Sequence, residues 1–352
     1  IIFVLLLVIA IPVGIALGIT SVLPSLADPP FTVGAKYMVR AMFGGLDSFP
    51  LLAVPMFVLS GIIMAKGGIS KKLFDVFAYF LGNRTAGMPC AVIVTCLFYG
   101  AVSGSAPATV AAVGSMTIPI LTELGYDLKF TTAIVAVAGG LGVIIPPSIP
   151  FIMYGMASGA SVSDLFIAGI IPGLLIGILL MVYAFYYCRK HGEDKLRIRT
   201  EVQKLHDRSF VTVLKDSFFA ILSPVIILGC IYSGVASPTE AAVISVFYAL
   251  IISLLVYKSI HLKDLGEIFK EAIRTFTPIL FILAASTAFS RVLTLMQVPQ
   301  TVSELISSNF HSKIIILFII NAFLLIVGMV MDTTPAILIL TPILLPIATN
   351  IG

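Results

Sequence analysis

Two stretches of this sequence carry residues suited to holding an ion. One is Gly100-Ala-Val-Ser-Gly-Ser-Ala-Pro107-Ala108, and the other is Gly328-Met-Val-Met-Asp-Thr-Thr-Pro335-Ala336. Each joins two apolar runs and shows a glycine, a polar cluster and then Pro-Ala opening a new helix. A further proline follows in both, Pro119 in one and Pro346 in the other. Proline in the first helical turn costs little, because its missing N–H would be unpaired there anyway. Ser105, and Asp332 or Thr334, stand where a side-chain oxygen is expected to cap the new helix. Carbonyls freed at the end of the incoming half-helix suit a small cation. N–H groups freed at the start of the outgoing half suit an anion.

A third interruption, Gly139-Gly140-Leu-Gly142-Val-Ile-Ile-Pro146-Pro147-Ser148, breaks an uncharged helix. Its unwound point is expected to face the tip of a hairpin over 87–121, giving a cage of carbonyls and hydroxyls sized for Na⁺. The competing reading is a glycine-rich packing seam with a proline kink. The repetition and the orientation of the two hairpins weigh against that reading. By symmetry the second repeat is expected to have its own broken helix, and one more span, beyond residue 352. A first residue that is not Met reads as a chain that begins slightly late.

The elements that must position these breaks are membrane helices. Of 352 residues, 59% are hydrophobic and 11% charged, against roughly 25% charged in soluble domains. No Asp, Glu, Lys or Arg occurs over 85–122, 130–163 or 165–188, and each run exceeds the roughly 20 residues that cross a bilayer core. The segment 1–23 lacks a basic leading region and is too long for a signal core, so it reads as the first span. Helices are expected at about 1–23, 49–66, 87–104, 106–121, 129–145, 149–159, 163–188, 214–234, 237–257, 275–296, 313–330 and 333–350.

Basic residues orient the chain. The polar connection 189–213 holds Arg189, Lys190, Lys195, Arg197, Arg199, Lys204 and Arg208 and is expected on the cytoplasmic side. Lys71, Lys72, Arg84 and Lys129 join it if 87–121 enters and leaves on one side. Lys258, Lys263, Lys270 and Arg274 are inside again, so 313–350 enters from outside. The hairpins 87–121 and 313–350 thus read as re-entrant and oppositely directed. Segments 258–276 and 69–81 alternate apolar and charged residues at helical spacing and read as interfacial helices, with an ordinary amphipathic connector as the alternative.

Cys90, Cys96, Cys188 and Cys230 lack metal or redox spacing and read as small packing residues. His191, His206, His261 and His311 fall in or beside polar connections and read as solvated loop residues. These placements argue against an enzyme. A serine-type intramembrane protease needs a histidine beside its nucleophile, and an aspartyl type needs two facing aspartates where only Asp332 has the depth. An ion channel could use such hairpins, but paired inverted breaks in one chain favour alternating access. No phosphate loop for nucleotide is present.

At these motifs the chain resembles the large membrane (M) subunit of tripartite ATP-independent periplasmic (TRAP) transporters. The matching runs are Pro55–Leu73 (PMFVLSGIIMAKGGISKKL), Val102–Leu121 (VSGSAPATVAAVGSMTIPIL), Gly139–Pro150 (GGLGVIIPPSIP), Ser237–Val243 (SPTEAAV) and Met331–Pro346 (MDTTPAILILTPILLP), in order along nearly the whole chain. The resemblance implies an all-α, multi-span, inverted-repeat elevator carrier of the bacterial inner membrane. A small membrane (Q) subunit, a periplasmic substrate-binding (P) protein and Na⁺ as coupling ion come with it. It implies an anionic solute, with sialic acid (N-acetylneuraminate) the closest likeness and four-carbon dicarboxylates the alternative. Residues 1–83 are then scaffold spans and an arm helix, and 84–160 the first part of a transport domain. Residues 161–274 are scaffold, cytoplasmic loop and second arm, and 275–352 the second part of the transport domain.

Within that frame the first sodium is assigned Ser103 and Ser105 at the hairpin tip, with carbonyls of Gly140, Val143 and Pro146. Carbonyl-rich coordination with few carboxylates suits Na⁺ better than a divalent ion. The second sodium is assigned Gly328, Met331 and Thr334. Asp332 is an intramembrane acid and thus a functional candidate, with an N-cap as its alternative. Arg291 is the candidate cation for a substrate carboxylate, with snorkelling as the rival. Ser60 and Thr109 are further substrate candidates. Glu240, three residues after Ser237, reads as a capping-box acid rather than a proton carrier.

Overall fold

A computed structural model of the chain describes residues 2–27, 35–207, 210–309 and 312–350. All regular structure among them is helical. In order the helices are α1 (Ile2–Val8), α2 (Val13–Ala27), α3 (Ala35–Leu46), α4 (Ala53–Lys66), α5 (Ile69–Leu81) and α6 (Gly87–Ser103). There follow α7 (Ala106–Glu123), α8 (Leu128–Gly139), α9 (Ile149–Ser158), α10 (Val162–His191), α11 (Lys195–His206) and α12 (Phe210–Tyr232). The last are α13 (Pro238–Ile251), α14 (Leu265–Leu295), α15 (Val298–Asn309), α16 (Lys313–Val330) and α17 (Thr333–Asn350). Among the described residues, five stretches are long and apolar enough to cross a membrane, namely Phe49–Lys66, Val162–His191, Thr212–Tyr232, Pro238–Val256 and Leu262–Leu295.

The chain divides into two compact units, Leu52–Phe151 with Ser161–Ile273, and Ile1–Leu51 with Ile152–Ala160 and Arg274–Gly352. In the first, α10 shows how a membrane helix packs. Ile171, Leu175 and Val182 on one face are exposed, as lipid-facing residues should be. Gly169, Gly173 and Gly177 recur every four residues on the buried face. Ile145 and Leu97 press against Gly173 and Gly177. Lipid tails are as apolar as the side chains, so such close van der Waals contact rather than water exclusion holds the helices together. The amphipathic α5 buries Ile69, Leu73, Phe74 and Val76, and Lys72 sits 4.3 Å over the ring of Tyr257. Lys66 at the end of α4 pairs with Glu271 at 2.6 Å. In the other unit, Leu17, Ala285 and Ile339 bring α2, α14 and α17 into one apolar cluster.

Several expected elements are redrawn. The single span over 1–23 is two helices. Ala10 adopts φ 63°, its N–H bonds to Leu7 O and that of Ile11 bonds to Leu6 O. This left-handed closure ends α1, and Pro12 could not have continued it. From Leu265 on, the interfacial helix expected over 258–276 and the span over 275–296 are one helix, α14, of 31 residues, because the polar-to-apolar change leaves helical propensity intact; Leu262–Asp264 before it is a 3₁₀ turn. Pro278 lies inside α14 without ending it. The expected helix over 237–257 is α13 followed by a π turn at Ile252–Val256. The polar connection after residue 189 contains α11, whose Ile198 and Val202 are buried. Helices α3 and α15 were not expected.

The histidines correct in part. His206 is exposed, as expected, but sits on α11 rather than in a loop, its ring stacked on Tyr79 at 4.2 Å. His191 ends α10, stacked on Tyr187, and His261 is exposed beside Asp264. His311 and Arg208 lie outside the described residues. Cys96 and Cys188 are buried and Cys90 and Cys230 half-buried, all as free thiols.

Candidate functional site

The first helix break falls where the glycine and proline pattern put it. Helix α6 closes on Gly104 at φ 60°, whose N–H bonds to Gly100 O at 2.9 Å. That left-handed conformation suits glycine, which has no Cβ to clash. Ser105 is extended and α7 starts with Pro107 in its first turn, so the missing proline N–H is no loss. The expected side-chain cap from Ser105 is absent. Its carbonyl accepts the ordinary first helical bond from Thr109 N at 3.0 Å and a second bond from Thr109 Oγ1 at 2.8 Å. Ser103 Oγ lies 2.9 Å from Thr109 Oγ1 and donates to Ser105 O at 3.3 Å. Ser103, Ser105 and Thr109 therefore form one tight knot of oxygens at the tip.

The third interruption meets this knot. After α8 the backbone tightens into a 3₁₀ turn at Gly140–Val143 and does not resume as α-helix until Ile149. A Cβ on Gly142 would stand 2.4 Å from Thr109 Oγ1 and 3.1 Å from Ser105 O. One on Gly100 would stand 2.5 Å from the Gly142 Cα. Only two glycines allow this backbone-to-backbone approach. Ile149 N, at the start of α9, donates to Gly104 O at 3.2 Å. Ser148 Oγ donates to Val143 O at 2.6 Å. The peptide Pro146–Pro147 is cis, and the Pro147 carbonyl approaches Gly104.

Helix α4 completes the surroundings. A Cβ on Gly61 would meet Ser103 Cα at 3.1 Å, and the fully buried Tyr99 donates its hydroxyl to Gly61 O at 3.1 Å. Next to Gly61, Ser60 is fully buried and its Oγ has no hydrogen-bond partner. A buried hydroxyl without a partner is costly. The structure brings Ser103, Ser105 and Thr109 together with the turn that contains Gly140 and Val143, and Ser60 lies on the helix that packs against them. Pro146 lies on the same loop. The oxygen-only donor set fits a hard monovalent cation.

The second break is also real. Helix α16 stops at Val330, Met331 is extended, and α17 restarts with Pro335 in its first turn. Asp332 does not cap that helix as expected; its Oδ1 accepts from the adjacent Thr333 N at 2.8 Å, and the side chain is exposed. Gly328 and Met331 line a cavity of about 400 Å³, together with Tyr154, Thr333, Ala336 and Thr341. Thr334 is buried, while Gly328 is exposed. Arg291 is exposed on α14. It stands about 200° around the helix from Phe289, and Phe289 packs with Met331 on one cluster. The structure does not bring Arg291 to the second break.

Glu240 caps α13. Its Oε2 accepts from Ser237 N at 2.8 Å, and Ser237 Oγ accepts from Glu240 N. Two residues escaped the sequence reading, one near the first break and one at the far end of its hairpin. Tyr99 could have been suspected, since a phenol in an uncharged run needs a partner. Glu193 is the other. It is half-buried and accepts from Ala86 N at 3.0 and 3.1 Å and from Tyr126 OH at 2.6 Å.

Several long apolar helices, with others that stop, break and restart, mark a multi-pass membrane protein. Residues 1–352 match the family described as tripartite ATP-independent periplasmic transporter, DctM component. The chain belongs to that family. It is 40% identical over 99% of its length to the isethionate TRAP transporter permease protein DctMQ of Oleidesulfovibrio alaskensis, and spans 54% of that protein. It is 36% identical over 96% of its length to the C4-dicarboxylate TRAP transporter large permease protein DctM of Pseudomonas aeruginosa, spanning 77% of it. With the sialic acid TRAP transporter large permease protein SiaM of Vibrio cholerae it shares 34% identity over 96% of its length and spans 78% of that protein.

Proposed function

We propose that this chain is the large membrane subunit of a carrier that imports a small organic anion together with Na⁺ across the bacterial inner membrane. A periplasmic binding protein would deliver the solute, and a small membrane subunit would complete the scaffold. The observation that carries this reading is the interlock of the Ser103–Ser105 tip with the Gly140–Val143 turn. Backbone unwound at membrane depth must be buried in protein or line a cavity. Here it packs among the oxygens of Ser103, Ser105 and Thr109. Ser103, Ser105, Gly140, Val143 and Pro146 would hold one Na⁺, and Gly328, Met331 and Thr334 a second. Thr109, already bonded to the tip, acts more directly on its shape than on a solute.

Sialic acid, the solute expected from the sequence, is named for one relative at 34% identity, while isethionate is named for another at 40%. The proposal is therefore an anionic carboxylate or sulfonate, with sialic acid one member of that class. An elevator-like movement of the hairpins accounts for alternating access. Reconstitution of the full-length protein with its two partners tests this reading. Uptake should require an inward Na⁺ gradient and stop when K⁺ replaces Na⁺. Uptake that continues unchanged in K⁺ overturns sodium coupling.

A further inference from the structure

Glu193 sits far from the tip and plays no part in the cage. It follows Gly192, which ends α10 at φ 81°, and precedes Asp194, which caps α11. Both carboxylate oxygens face the Ala86 N–H, at 3.0 and 3.1 Å. Ala86 is the residue before α6, held at φ 58°, so the carboxylate also lies at the positive end of that helix. Oε1 takes the Tyr126 hydroxyl at 2.6 Å, and Cys188 lies close to the same carboxylate. Tyr126 lies in the turn between α7 and α8. Burial first, and the bond to Glu193 second, raise its pKa above the ordinary phenol value, so it stays a proton donor.

One carboxylate therefore gathers the start of α6, the turn after α7 and the end of α10. The first two are the feet of the hairpin. With 17 residues in α6, the feet lie about 25 Å from the tip. Beyond Glu193, α11 is strapped to its neighbours. Arg197 Nη1 donates to Glu123 O at the end of α7 at 3.3 Å. Val202 packs on Gly82 after α5, and the His206 ring stacks on Tyr79.

We propose that Glu193 is a positioning residue that clamps the feet of the first hairpin to the α10–α11 bend, so that both legs move as one piece during transport. This rests on the carrier reading above. On this proposal α10, whose Gly177 packs on Leu97 of α6, travels with the hairpin and not with the scaffold to which 161–274 was assigned, and the tip keeps its shape. Without it the legs are free to part at their base, which slows the movement while the distant cage still binds its ion.

The test uses the full-length protein reconstituted with its partners. Glu193→Gln keeps the side chain's shape and an acceptor for Ala86 but loses the charge. It should lower the maximal uptake rate roughly tenfold, the effect of weakening one hydrogen bond to a charged group. Half-saturation by Na⁺ should stay within about twofold. Tyr126→Phe should lower the rate less, and the double variant should match Glu193→Gln, because both act through one contact. Glu193→Asp should recover part of the rate. Independently of uptake, maleimide labelling of Cys188, followed by mass spectrometry, should speed up in Glu193→Gln and in Tyr126→Phe. A rate unchanged in both variants overturns the proposal. So does a Na⁺ half-saturation that shifts as far as the rate. If Glu193→Gln fails to fold, Tyr126→Phe decides alone by the same two readouts. Wild-type uptake without Na⁺ would sink the sodium reading only, and Cys188 labelling would still judge the clamp.

Discussion

Gly142 offers the sharpest perturbation of the proposed cage. A methyl group there would stand 2.4 Å from Thr109 Oγ1, well inside contact distance, so the hydroxyl must turn away. Turning it breaks the bonds to Ser105 O at 2.8 Å and to Ser103 Oγ at 2.9 Å. Each is worth about 1 kcal/mol net, so the closed tip loses about 2 kcal/mol. At 1.4 kcal/mol per decade that is roughly a 30-fold weakening of Na⁺ binding. The assay is half-saturation of solute uptake by Na⁺ in proteoliposomes, for protein that elutes as wild type does. Thr109→Ala removes the clashing oxygen, so Gly142→Ala with Thr109→Ala should be no worse than Gly142→Ala alone. A Na⁺ half-saturation for Gly142→Ala within about twofold of wild type would refute the argument that this knot shapes the cage.

Three further outcomes follow from other contacts. Gly100→Ala sets a methyl 2.5 Å from the Gly142 Cα, and a backbone atom cannot rotate aside, so overpacking should cost about 3 kcal/mol or more. Gly140→Ala meets nothing within 4 Å and should melt in detergent like wild type; equal melting of the two variants would contradict the packing. Arg291→Gln, if this arginine pairs with the solute, should lower solute affinity roughly tenfold to a hundredfold, as for a hydrogen bond to a charge. An unchanged KM removes it from the site, and its exposure predicts unchanged melting either way. Burial and the bond to Glu193 hold the Tyr126 pKa in the folded state above the ordinary phenol value of 10.0. Its contribution is therefore complete below about pH 10 and lost as pH rises further. Detergent melting should fall more steeply above pH 10 in wild type than in Tyr126→Phe, and parallel curves would count against the buried hydrogen bond.

The breaks were legible because glycine and proline act locally. Gly104, Pro107 and Pro335 end or open helices through their own φ preference and missing N–H, wherever the chain folds. Even the capping box at Ser237 and Glu240 follows from spacing alone. Tertiary partners were not legible. Nothing in the order of residues says that Thr109 Oγ1 takes the Ser105 carbonyl, that the Ser105 side chain leaves α7 uncapped, or that Tyr99 reaches Gly61. The polar stretch 258–276 read as a separate element because its charge pattern changes, yet charge does not end a helix. Pro278 failed to break α14, whereas Pro12 coincides with a real break because Ala10 had already turned left-handed. Helix α11 was missed because its short apolar face, Ile198 and Val202, is visible only against α5.

The meeting of Gly100 with Gly142 is a contact between main chains, and it constrains how such a protein can diversify. A pocket built from side chains can be retuned one substitution at a time. At a seam of bare backbone the smallest available step is a methyl group, and there is no room for it. Novelty must then enter through the periphery, which squares with relatives whose names span a sulfonate, dicarboxylates and a sugar acid.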